Sequence, residues 1–103
     1  MAIPVPKNGM RAVHPGEVLR EEYLKPLGLS ANALAKALRV PASRVNDIVL
    51  QRRGIRVDTA FRLVRCFGGD VQSWLNLQTA YDLKVAERTI AEKITREVAP
   101  NAA

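Results

Sequence analysis

Apolar residues recur along this chain at helical spacing. Ala60, Leu63, Val64 and Phe67 fall at i, i+3, i+4 and i+7 of a segment that opens at Val57 or Asp58 and is stopped by Gly68-Gly69. Leu34, Ala35 and Leu38 share one face of a shorter helix, from Ala31 to about Leu38, with Ser30 as its N-cap. Val45, Ile48 and Val49 form the inner face of the next helix, which runs from Pro41 or Ala42 to Leu50 and is closed by Arg52-Arg53-Gly54. Upstream, a helix opens at His14-Pro15-Gly16-Glu17, where proline suits the first turn and Glu17 favours the positive end of the helix dipole. Its stripe is Val18, Leu19, Tyr23 and Leu24. Pro26 is expected to end it by disfavouring the helical conformation at Lys25, with Gly28 turning the chain. Downstream, Asp70 caps a fifth helix bearing Trp74, Leu75, Leu77, Leu83 and Val85, which continues with a break towards Glu97. No segment alternates with period two. The pattern predicts an all-α fold of five helices with short connections. Residues 1–13, with Pro4, Pro6 and Gly9, form an irregular arm; 14–88 form the domain; 89–103 form a helical extension with a frayed tail.

A chain of 103 residues holds one core. Aromatics make up 5%, so that core is built from Leu, Val, Ile and Ala, which suits close-packed helices. One cysteine, Cys66, excludes an internal disulfide and a cysteine-based zinc cage, and one histidine, His14, excludes multi-histidine metal sites. No metal or cofactor is expected. No apolar run approaches the ~18 residues of a membrane span, so no membrane partner is expected. The N-terminal MAIPVPKNGMR shows no secretory h-region, and a reducing, cytoplasmic setting is the expectation.

Charge sharpens this picture. The net charge is +6, which favours an anionic partner, nucleic acid first. The excess is densest just after residue 50, where Arg52, Arg53, Arg56, Arg62 and Arg65 face Asp58 alone, whereas the C-terminal third is nearly neutral.

The second and third helices carry the most information. Two short helices joined by three or four residues, with small Ala35 at the crossing and Leu34, Leu38, Val40, Val45 and Ile48 facing the core, form a helix-turn-helix pattern whose second member enters the major groove. Its outward residues are Ala42, Ser43, Arg44, Asn46, Asp47 and Leu50, followed by Gln51, Arg52 and Arg53; Ser, Asn, Gln and Arg bond base edges or phosphates. The expected DNA-binding set is Ser30, Ser43, Arg44, Asn46, Asp47, Gln51, Arg52 and Arg53. Asp47 either accepts from a cytosine amino group or rejects wrong sequences by repelling phosphates. Arg39 stands where the turn usually goes left-handed at a glycine; a non-glycine residue there costs ~1 kcal/mol, so the turn is either strained or of slightly different geometry.

Other residues read more plainly. His14 precedes a helix-starting proline and is expected to cap or lie at the surface rather than act as a base or ligand. Cys66, beside Val64 and Phe67, is expected to be a buried small hydrophobe. Trp74, Leu77 and Tyr81, spaced three and four apart, form either a core stripe or a dimer seam; the candidate seam is Trp74, Leu77, Tyr81 and Leu83. No residues support an enzyme.

Taken in order, His14-Pro15-Gly16-Glu17, Glu22 through Ser30 (EYLKPLGLS), Leu34-Ala35, Arg44 through Ile48 (RVNDI), Arg52-Arg53-Gly54-Ile55, Trp74 through Gln78 (WLNLQ) and Tyr81-Asp82-Leu83 resemble the HigA (VapI-like) antitoxins, a branch of the Xre-type helix-turn-helix family. The resemblance spans roughly residues 14–88. It implies a lambda-repressor-like domain, a homodimer that binds operator DNA and represses its own operon, and neutralisation of a HigB-like toxin resembling RelE-type ribosome-dependent mRNA endonucleases. Carried over by position, Ser43, Arg44, Asn46 and Asp47 face DNA, with Arg52 and Arg53 near its backbone. The alternatives are a stand-alone Xre-type regulator without a toxin, and a protein-interaction module whose basic face binds an acidic protein.

Overall fold

The computed structural model describes residues 11–101. Most of the irregular arm, and the last two residues of the tail, lie outside the described residues. Six helices follow one another within them, and no strand is present among them. Helix α1 is continuous through Pro15–Val18, Leu19–Leu24 and Lys25–Leu27; then come α2 (Ala31–Leu38), α3 (Ala42–Val49), α4 (Val57–Phe67), α5 (Val71–Thr89) and α6 (Ala91–Glu97). The break expected in the fifth helix falls at Ile90.

Pro26 does not end α1. Lys25 keeps helical angles (φ −63°, ψ −50°), and the helix runs on to Leu27. The middle of α1, Leu19–Leu24, is π-helical, with the Lys25 N–H reaching back five residues to the Arg20 carbonyl. In an α-helical register the proline ring would press on the carbonyl four residues back; the wider turn relieves that crowding. The helix instead stops at Gly28, left-handed at φ 62°, where the Leu29 N–H closes onto the Leu24 carbonyl.

The core is one cluster to which the first five helices all contribute. Leu19, Leu34, Ile48, Ile55 and Leu63 are fully enclosed. Tyr23 bridges two aromatic neighbours, Phe67 at 5.1 Å and Trp74 at 5.4 Å between ring centroids. Cys66 is exposed, against expectation. It follows Leu63 by three residues, in the last turn of α4, past the buried positions Thr59, Ala60 and Leu63. Helix α6 is exposed throughout.

A close backbone approach lies at the start of α1. Gly16 lies against the backbone of α3 so closely that an added Cβ would sit 1.8 Å from the Ile48 carbonyl oxygen. His14 sets this entry geometry as the N-cap, its Nδ1 accepting the Gly16 N–H at 2.8 Å. The imidazole is 3% exposed and meets the Tyr81 ring of α5 edge-on, with centroids 4.8 Å apart. The expected capping role is therefore present, but at a buried junction of α1, α3 and α5.

This junction gives two expected outcomes. Gly16→Ala should lower unfolding free energy by about 3 kcal/mol, as an overpacked contact against immobile backbone does, measured by urea unfolding. Burial also pushes the His14 pKa below its ordinary 6.5, against the opposing pull of Asp82 and Glu17. The unfolded chain therefore takes up the proton first, and stability should fall as pH drops below about 6.5, before carboxylates titrate. His14→Asn, which retains a capping acceptor, should flatten that part of the pH–stability curve.

Candidate nucleic-acid interface

Helices α2 and α3 form the expected pair. Ala35, 1% exposed, sits at their crossing, and Leu34, Leu38, Val45 and Ile48 turn inward around it. The Ser30 side chain caps α2 by accepting the Ala33 N–H at 3.0 Å. Arg39 then adopts φ 61°, ψ 44°, the left-handed conformation expected there. Its own N–H bonds the Lys36 carbonyl, and the Val40 N–H bonds Ala35 at 3.0 Å. The same closure recurs after α3, where Gln51 is left-handed at φ 63° and the Arg52 N–H reaches the Asp47 carbonyl at 2.8 Å. The left-handed residue that closes the helix is thus Gln51, where the sequence pointed to Gly54. Gly54 instead permits a close approach to α5: an added Cβ would lie 2.8 Å from the Gln78 side chain, whose Oε1 accepts the Ile55 N–H at 2.8 Å.

With Val45, Ile48 and Val49 buried, α3 and its C-cap leave Ser43 and Leu50 exposed and Arg44, Asn46 and Asp47 partly so. These polar groups are held by neighbours. Arg44 Nη1 donates to Asp58 Oδ1 at 2.9 Å, and the same oxygen accepts Arg62 Nε at 2.8 Å. Arg62 also donates to the Leu38 carbonyl at 2.8 Å, tying α4 to the end of α2. Arg62 first, and Arg44 after it, hold the Asp58 carboxyl below its ordinary value. Asp47 accepts from Arg52 at 2.9 Å, with Arg53 at 3.8 Å from its other oxygen. That pairing offsets the repulsion a lone carboxylate exerts on phosphates. Asn46 Nδ2 donates both to Asn32 Oδ1, at 3.1 Å, and to the Ala42 carbonyl, at 2.9 Å. Gln51, Arg52 and Arg53 are exposed beyond the helix, and Ser30 is exposed at the start of α2.

The structure thus brings Ser43, Arg44, Asn46, Asp47, Arg52 and Arg53 into one surface, with Ser30 and Gln51 serving the turns beside it. Asn32, Asp58 and Arg62 join this surface without having been expected. The four-residue spacing of Asp58 and Arg62 was a legible helix pair; the reach of Asn32 to Asn46 depends on how α2 and α3 cross.

The candidate seam does not form one face. Trp74 is 5% exposed within the core of the single chain. Leu77 and Tyr81 are half-buried, Tyr81 against His14. Leu83 is 59% exposed and lies about 200° around the helix from Tyr81. Among the described residues no cluster of three or more His, Cys, Asp or Glu side chains can hold a metal ion, and no helix is long and apolar enough to cross a membrane.

Known proteins share this geometry. Residues 21–74 match the helix-turn-helix family. Virulence-associated protein I of Dichelobacter nodosus is 72% identical over 88 residues, 85% of this chain and 82% of that protein. Among solved structures, the Pseudomonas aeruginosa antitoxin HigA with the higBA promoter is 47% identical at a TM-score of 0.82, covering 87% of this chain and 98% of that one. The antitoxin GraA in complex with its operator is 48% identical at a TM-score of 0.83, covering 95% and 99%.

The left-handed Arg39 offers a test of the turn. Arg39→Gly should raise unfolding free energy by ~1 kcal/mol, because glycine adopts this conformation without the Cβ penalty. An unchanged or lower midpoint in thermal unfolding would show that the arginine side chain contributes more than its backbone costs.

Proposed function

The chain belongs to the Xre-type helix-turn-helix family, among the HigA-like and VapI-like antitoxins, and from that membership we propose that it is the antitoxin of a type II toxin–antitoxin module. In this reading it binds operator DNA as a homodimer, represses its own operon and neutralises a RelE-like mRNA endonuclease. The family is one of DNA-binding regulators rather than enzymes.

One observation carries the DNA reading: α3 turns Val45, Ile48 and Val49 inward and leaves Ser43, Arg44, Asn46 and Asp47 as a polar face, flanked by Arg52 and Arg53. A helix of that kind fits the major groove, with Ser43, Arg44 and Asn46 at base edges and the two arginines at phosphates. Their present partners are carboxylates at the surface, and such exposed pairs exchange readily for phosphate oxygens. The relatives solved with promoter and operator DNA support DNA as the partner.

A single helix reads too few bases, so a two-fold dimer reading two half-sites is part of the proposal. The surface best suited to it is the side of α5 bearing Leu83, with Ile90, 49% exposed, a further seven residues along. Trp74 lies in the protomer core, and Tyr81 is engaged with His14.

Titration of the chain's own promoter duplex at several salt concentrations tests the DNA reading. Removing one phosphate contact should flatten the slope of log K against log salt by about 0.9. Arg52→Ala combined with Arg53→Ala should therefore flatten it by roughly twice that amount. An unchanged slope would leave the arginines as a solvated face. Leu83→Asp should give monomers by sedimentation with helix content intact, and it avoids the buried His14 contact that a change at Tyr81 would break. Co-expression with the adjoining reading frame tests the toxin: recovery of a stable complex supports the antitoxin, and no complex leaves a stand-alone regulator.

A further inference from the structure

We propose that Asn32, on the helix before the recognition helix, is a specificity-determining residue that makes Asn46 an acceptor-only reader of base amino groups. This deepens the DNA reading above and rests on it. A carboxamide offers two N–H donors and one acceptor oxygen. An unconstrained asparagine can bond adenine through both kinds of atom, or rotate to suit a different base. Asn46 has no such latitude. Its Nδ2 donates to the Ala42 carbonyl at 2.9 Å and to Asn32 Oδ1 at 3.1 Å, so both protons are committed within the protein. The Ala42 carbonyl can only accept, so rotating the amide by half a turn would set oxygen against oxygen and leave the bond to Asn32 without its proton. Asn32 is itself exposed at the second position of α2.

The consequence is chemical. The atom of Asn46 left to meet DNA is Oδ1, which accepts from no described residue. In the major groove adenine and cytosine present amino donors, whereas guanine and thymine present carbonyl oxygens at the corresponding edge. Asn46 held this way favours an amino base over a keto base at one position of each half-site, and rejects the keto base by oxygen–oxygen repulsion. Asn32 does not touch that base in this scheme. It acts by occupying the proton that Asn46 would otherwise offer to a keto oxygen.

Selection from a pool of randomised duplexes tests this, with the unsubstituted protein, Asn32→Ala and Asn32→Asp, each checked for folding by thermal unfolding. The unsubstituted protein should prefer amino over keto bases at one position by about tenfold, the size of one hydrogen bond's net contribution. Asn32→Ala frees an Asn46 proton and should reduce that ratio to about threefold or less. Asn32→Asp keeps an acceptor and should retain the ratio, while its added negative charge lowers affinity for every duplex alike. A merely structural role would lower affinity or melting temperature and leave the ratio untouched. An unchanged ratio in Asn32→Ala, or a ratio abolished in Asn32→Asp as well, overturns the proposal while the DNA reading stands. An unsubstituted protein that selects no sequence overturns the DNA reading and the proposal together.

Discussion

Two backbones meet where Gly16 of α1 rests on the Ile48 carbonyl of α3, and the placement of α3, the proposed reading helix, follows from that meeting. Only the absence of a side chain allows it. His14 fixes the approach by capping Gly16 and lodging against Tyr81, and Arg20 adds a bond from α1 to the Val49 carbonyl at 3.4 Å. Helix α3 has eight residues and little helical stability of its own. Its position is set from outside, by backbone contact on one end and by Ala35 at its crossing with α2 on the other. A rigid mount of this kind matters for a reading helix, because displacement of about an ångström moves donors and acceptors out of hydrogen-bond range.

The outward side of α3 is arranged differently. There the groups are polar, shared and exchangeable. Asp58 links Arg44 to Arg62, and Asp47 collects Arg52 and Arg53. These carboxylates keep a dense positive patch from repelling itself in the unbound protein, at geometries already extended towards solvent. In the proposed complex, arginine can change partner to phosphate without burying an unpaired charge. A rigid apolar underside and an electrostatically adjustable upper side together account for how one short helix can be both well placed and adaptable.

Much of this was legible in the sequence, for physical reasons that differ by residue. The helices announce themselves through local signals: Ser30 and Asp70 accept N–H groups three residues on, as caps do, and the apolar stripe of α4 repeats at the helical period. Arg39 was legible as the turn's special position from its place four residues after Ala35, and of the strained turn and the altered geometry left open there, the left-handed turn is present. Pro26 misled because the π-turn that accommodates it is a property of the whole helix, absent from any dipeptide preference. Gln51 took the left-handed position ahead of Gly54, and Gly54 serves instead the close approach to Gln78, whose side chain bonds Ile55 across 23 residues of chain. Cys66 was misplaced by its apolar neighbours in sequence, while its place is exposed in the last turn of α4. Asn32 and Asn46 stand 14 residues apart, and only the crossing of two helices joins them. Local chemistry was readable; contacts made by tertiary crossing were not.

A helix α3 that lies in the major groove with its polar face on the bases should shield the atoms of that groove and no others. Dimethyl sulfate footprinting of the bound promoter duplex measures this, because the reagent marks guanine N7 in the major groove and adenine N3 in the minor groove. Guanine N7 should be protected in two short blocks about one helical turn, or a multiple, apart, with adenine N3 still reactive between and beside them. Protection confined to adenine N3, or no protection at either site on a duplex shown to be bound, is incompatible with α3 as the reading helix.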